Sequence, residues 1–225
     1  MRDPLHAFDW SRLYERYDAL CARFDPSAAQ LKAFTPGPQS DRDLYYRLLN
    51  FVRTPSTGNP TLSIDLYEAL LYWKLYSQPA AVSNLRRWFA PKVRSAEADH
   101  LARLIEDLPG DLQRDETHVL SLVKQLGAYK LAGMKTATAL SVRTTFLHFL
   151  FPDVVPIFDK MVLQAVGVRE SKANQRMDVL RKYLPFAWKL ADHHGAGHAN
   201  QQRETPIRLI DMALWVVRGM AVETT

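Results

Sequence analysis

An all-α fold is what this sequence predicts. Apolar residues recur at three- and four-residue spacing in segment after segment. The breaks between segments hold prolines and helix-capping residues. No stretch alternates apolar and polar residues as a half-buried strand does, and Val154-Val155-Pro156 is short and interrupted by proline. With 225 residues, 47% of them hydrophobic, the chain can bury one good core or two small ones. At least ten helices and no sheet are expected.

In order along the chain, Trp10, Leu13, Tyr14, Tyr17, Leu20 and Cys21 line one face of a first helix that stops before Asp25-Pro26. Pro26 is expected to open a second short helix running to Phe34, since proline suits a first helical turn. Thr35-Pro36-Gly37-Pro38 is a loop. Ser40 with Asp43 has the spacing of a capping box for a helix from Asp41 to Val52. Arg53 to Thr61 is the longest loop signal. Ser63 starts the next helix, which is apolar over much of its surface and so is expected at the centre of the fold. Its aromatic residues Tyr67, Tyr72, Trp73 and Tyr76 fit a core, or one ring fits a base-binding pocket. Pro79 opens a helix that Pro91 closes, and Ser95 caps another that ends at Pro109-Gly110. A helix from Glu116 to Lys130 follows.

Further on, Leu131 to Val168 reads as a helix, a break at Phe151-Pro152-Asp153, a second proline at Pro156 and a new helix opening at Asp159. An acid at a helix start is favoured by the dipole and caps free N–H groups, which by itself accounts for Asp159. A long helix from Ser171 to His193 contains Pro185, so a kink or break is expected near Leu184. His193-His194-Gly195-Ala196-Gly197-His198 invites a metal, but its glycines predict a loop and no carboxylate pattern completes a site. Thr205-Pro206 starts the last helix.

Net charge is +5, unevenly spread. Residues 117 to 189 hold 11 basic and 4 acidic residues, a net of +7, and the rest of the chain is at −2. A basic region of this kind suits a polyanion such as DNA, and equally fits a solvated basic face. Lys130, Arg143 and Lys172 are the candidate phosphate contacts. There is no Gly-rich phosphate loop, no G-x-S-x-G and no zinc-finger spacing. The single cysteine, Cys21, excludes an internal disulfide and a cysteine-ligated iron–sulfur cluster. No apolar run is long enough for a membrane span and the first residues show no apolar signal region, so a cytoplasmic protein without a membrane partner is expected.

The run Leu147-His148-Phe149, Pro152-Asp153, Pro156-Ile157 and Asp159 resembles the core of the helix-hairpin-helix DNA glycosylase superfamily. Residues 117 to 168 carry the likeness, which is nearest to uncharacterised bacterial members. It implies a two-lobed helical fold, with one lobe from residues 40–158 and a second from 1–39 and 159–225. It implies a hairpin that grips the backbone of duplex DNA, and a DNA-repair hydrolase that cleaves the N-glycosidic bond of a damaged, flipped-out base. Asp159 matches the essential aspartate, and His148, within the motif on a helix rich in Phe and Leu, reads as packing or support for the loop that carries it, ahead of a catalytic role. No cofactor and a monomeric state are expected. The superfamily writes its hairpin L-P-G-V-G-x-K-x-A, and two registers are open here. In one, Gly133-Met134-Lys135-Thr136-Ala137 is the hairpin and Lys135 takes the nucleophile position, 24 residues before Asp159. In the other, which needs no insertion and is preferred, the hairpin is Ala139 to Arg143 and the position falls at Ser141. Two other functional classes remain: an inactive DNA-binding module of the same fold, and a protein-interaction scaffold.

Overall fold

The structure is a computed structural model that describes residues 1–53, 62–136, 138–199 and 204–223. Among these there are helices and no strand, as the periodicity predicts. The α-helices are α1 (Leu13–Leu20), α2 (Asp41–Arg53), α3 (Ile64–Leu75), α4 (Pro79–Trp88), α5 (Pro91–Glu106), α6 (Glu116–Gln125), α7 (Leu140–Leu150), α8 (Lys160–Ala165), α9 (Met177–Leu190), α10 (Ala196–Ala199) and α11 (Pro206–Glu223). No described helix is long and apolar enough to cross a membrane. The loop expected over Arg53 to Thr61 falls outside the described residues beyond Arg53, which ends α2.

The chain forms two compact units, one of Met1–Leu20, Asp111–Lys124 and Ala137–Thr225, the other of Cys21–Gly110 and Gln125–Thr136. Both termini fall in the first, where the resemblance implies lobes of 40–158 and of 1–39 with 159–225. Residues 137–158 belong with the termini and residues 21–39 do not.

The second unit is built on α3. Every residue of it from Leu66 to Trp73 is buried, Glu68 included. Helices α2, α4 and α5 and a 3-10 turn at Ala29–Leu31 pack around it. That burial on all sides is why the helix shows no polar face in the sequence. Its start is set by Ser63, whose hydroxyl accepts the Leu66 amide at 3.3 Å. Helix α2 starts in the same way, the Ser40 hydroxyl taking the Asp43 amide at 3.1 Å. The charge of Glu68 is met by Arg94 of α5 at 2.7 Å. Arg94 also bonds Asp65. Helix α5 differs from its expected start: Pro91 opens it at the first helical position, with Ala90 before it, and Ser95 lies one turn inside. Proline there gives up an amide that a first turn leaves unpaired anyway. Only the 3-10 turn forms where Pro26 was expected to open a helix.

The first unit gathers on α11, which packs against α1, α8 and α9. Arg208 of α11 is 1% exposed and pairs with Asp211. Its guanidinium donates to the Tyr17 hydroxyl at 2.8 Å and lies 5.1 Å from that ring's centre. Helix α9 runs through Pro185 without a break. Pro185 is exposed, so water can serve the carbonyl that lost its amide partner. The histidine-rich segment is helical too: a π-turn at Ala191–Gly195 leads into α10. Gly195 permits this, because a Cβ there would stand 2.7 Å from the Pro206 carbonyl oxygen. The histidines are engaged locally, His194 with Asp3 at 2.8 Å and His198 stacked on Trp10 at 4.6 Å.

Leu70 is fully buried on α3, whereas Leu20 is 39% exposed. Leu70→Ala is expected to cost about 2–5 kcal/mol and Leu20→Ala about 0.5 or less. Urea unfolding followed by circular dichroism checks both, and equal midpoints for the two variants contradict the central place of α3.

Candidate functional site

The connection between α7 and α8, residues 151–159, carries the motif and has no regular structure beyond a turn. Its backbone is held by side chains. The carbonyl of Pro152 accepts from the Thr205 hydroxyl at 3.1 Å, and that of Asp153 from Arg114 Nε at 3.0 Å. Trp188 Nε1 donates to Val154 O at 2.6 Å, and His148 Nδ1 bonds Val155 O at 2.8 Å. At the far end the Phe158 amide donates to Thr144 Oγ1 at 3.1 Å. The Thr144 hydroxyl in turn donates to the Leu140 carbonyl at 2.9 Å. Thr144 and His148 lie one turn apart on α7 and are both fully buried.

Asp159 emerges from this connection as the cap of α8. Its Oδ1 accepts the amides of Met161 at 2.8 Å and Val162 at 3.0 Å, and the residue is 7% exposed. The capping geometry expected from spacing alone is therefore present. Tyr183 of α9 is fully buried close by, its ring 5.6 Å from that of Phe158. Burial pushes the Tyr183 hydroxyl well above its ordinary pKa, and the negative charges of Asp211 and Asp159 push the same way.

His148 bonds the Val155 carbonyl of the connection, which sets Nδ1 as the protonated nitrogen. Arg143 does not lie where a phosphate contact should. It is 4% exposed and donates to the Val123 carbonyl at 3.2 Å, and burial lowers its pKa. Ser141 is half-buried, and its carbonyl takes the Thr145 hydroxyl at 2.8 Å.

The preferred hairpin register is corrected by the same helix. Ala139 precedes α7 and residues 140–143 are its first turn, so they form no hairpin. The tight turn lies at the other register, where Gly133 has φ +76° and the Met134 and Lys135 amides both return to the Leu131 carbonyl. Glycine reaches that left-handed backbone without strain. Ala137 of that register lies outside the described residues.

This turn belongs to the second unit and is pinned on both sides. The Ala132 amide donates to Glu97 at 2.8 Å and its carbonyl accepts the buried Tyr67 hydroxyl at 2.6 Å. Lys135 and Lys130 are exposed there, Lys130 in left-handed backbone with φ +54°. Asp159, Ser141, Arg143, His148 and Lys172 belong to the first unit.

Lys172 is exposed and lines a cleft of about 520 Å³ with Lys160, Gln164, Arg169 and Asn174. Of these the sequence singled out Lys172 alone. Lys160 and Arg169 were legible only as part of the basic excess after residue 160. Nothing in the sequence marked Thr144 or Tyr183, because their roles depend on residues 14 to 28 positions away. Among the described residues no group of three or more His, Cys, Asp and Glu side chains is arranged to hold a metal ion.

Comparison with protein-family models, curated proteins and solved structures finds no match, so the glycosylase resemblance rests on the motif residues alone.

Thr144→Val keeps the shape and removes the acceptor of a buried amide, so it is expected to cost about 1–3 kcal/mol, with Thr144→Ser close to wild type. Asp159→Asn is expected to cost a few tenths of a kcal/mol, roughly, and Asp159→Ala about 0.5–2. Denaturant titration of the four variants checks these values, and a harmless Thr144→Val contradicts the assigned bond.

Proposed function

We propose that the protein is a DNA N-glycosylase, cleaving the bond between a damaged base and its sugar in duplex DNA. The observation that carries the proposal is the folded form of the motif. A buried threonine and histidine on α7 fix a proline-containing connection, and that connection delivers a carboxylate, Asp159, at the start of the next helix. The net charge of +7 over residues 117–189 supports a polyanionic substrate.

The chemistry follows from charge. Inside the duplex the sugar C1′ is shielded, so the base must be flipped out before its bond can break. As the base leaves, positive charge develops on the sugar. A carboxylate held in one orientation stabilises that charge and orients an attacking water. The two amide bonds to Asp159 Oδ1 supply the orientation. Lys135 lies on the turn of the other unit, and a hydrolytic route does not require it.

A second reading, an inactive DNA-binding module of the same fold, is favoured by one observation: Asp159 is only 7% exposed.

Release of alkylated, oxidised or deaminated bases from a duplex panel tests the proposal. Wild type is expected to excise at least one of them, Asp159→Asn to lose most of the rate while folding and binding DNA, and Lys135→Ala to excise normally. Loss of a strand-cutting activity on Lys135→Ala alone assigns the nucleophile to Lys135. Salt-dependent duplex binding with no excision from any substrate leaves the binding module.

A further inference from the structure

We propose that the cleft along α8 is a phosphate-binding site that takes the phosphate of a DNA backbone or of a free nucleotide. The cleft runs beside the face of α8 made by Lys160 and Gln164, and its other wall is the segment 168–175. Three cations line it, Lys160, Arg169 and Lys172, all exposed. The one acid in its wall, Glu170, has its charge offset by Arg176 at 2.6 Å. The cleft is therefore electropositive, and its walls are polar. Gln164 adds direction: its Oε1 accepts from Arg218 Nε at 2.7 Å, which turns the amide nitrogen into the donor end. An arginine fork, two ammonium groups and an amide donor match a phosphate's several acceptor oxygens better than a carboxylate's two. A volume of about 520 Å³ leaves room for the sugar attached to that phosphate.

Lys160 directly follows Asp159 in the chain, so the cleft opens at the end of α8 that carries the proposed catalytic carboxylate. In that sense the site rests on the glycosylase reading and deepens it, naming cations that position the strand. Phosphate binding can nevertheless be read without excision. It also replaces Arg143, which is buried, with Lys160 and Arg169 as phosphate contacts.

The test uses the full chain and the triple variant Lys160→Ala/Arg169→Ala/Lys172→Ala. A charge-matched control, Arg86→Ala/Arg87→Ala/Lys92→Ala, removes three exposed cations outside the basic segment and the cleft. Binding of a fluorescent undamaged duplex is followed by anisotropy across a salt series, and binding of inorganic phosphate and of a nucleoside monophosphate by calorimetry. The cleft variant is expected to weaken duplex binding about tenfold or more and to flatten the salt dependence by about 0.9 in log–log slope for every phosphate it no longer neutralises. The control is expected to change less, and all three proteins to melt alike. Loss of phosphate and nucleotide binding with duplex binding unchanged assigns the site to a free nucleotide. Loss of duplex binding alone assigns it to the backbone. Equal weakening by cleft variant and control, or no effect of the cleft variant on any probe, overturns the proposal. Excision retained by the cleft variant while its duplex binding falls separates this site from the Asp159 chemistry.

Discussion

Four consecutive carbonyls, from Pro152 to Val155, each accept a hydrogen bond from a different side chain. A stretch of backbone without helix or sheet must satisfy its polar groups in some other way once it is buried. Here the donors come from Thr205, Arg114, Trp188 and His148, spread over nearly a hundred positions of sequence. The connection is thereby fixed at as many points as a strand would be, without a ladder. Because Asp159 stands at its end, the position of that carboxylate depends on helices α7, α9 and α11 together. The same clamps tie α11 to the connection, and α11 in turn holds α1, α8 and α9.

The second unit solves a similar problem with one buried helix. Helix α3 has no solvent face from Leu66 to Trp73, so its single carboxylate there, Glu68, has to be matched, and Arg94 of α5 does so. Its Tyr67 hydroxyl is spent on the Ala132 carbonyl of the glycine turn. That turn is consequently a structural corner of the unit, its Ala132 amide neutralised by Glu97. The consequence for function is specific. A backbone turn already bound to a carboxylate offers less to a phosphate, and under the proposed reading anion recognition falls to side chains such as those of the cleft on α8. Electrostatics of that kind, carried by exposed cations, is screened by salt and little selective for sequence.

Class and element order were written in the sequence. Local signals act over three or four residues, and they placed the starts of α2, α3, α4 and α11 through Ser40, Ser63, Pro79 and Thr205-Pro206. They also placed Asp159 at the head of α8, because a cap is a contact within one turn. The stretch 66–73, apolar but for Glu68, correctly implied a central helix. Where local chemistry was ambiguous the sequence misled. Proline ends one helix and begins another equally well, so Pro91 was assigned to the wrong one. Pro185 looked like a break because its exposure, which lets water serve the freed carbonyl, is a tertiary fact. The glycines around His194 looked like a loop until the approach of Pro206 explained Gly195.

What only the tertiary structure decided is which side chains face inward and which distant residues meet. Arg143 and Lys172 are both cations near the motif, yet one is buried against Val123 and the other lines an open cleft. Charge counts cannot separate them, because direction depends on packing partners that spacing does not name. Gly133 in left-handed backbone marks a turn, whereas the residues that the spacing argument favoured, 140–143, lie in a helix. The sequence by itself determined a helical chain with a basic segment and a capping aspartate. The fold decided that this aspartate sits on a connection clamped by four donors, since hydrogen bonds between residues tens of positions apart exist only once the helices that carry them have packed.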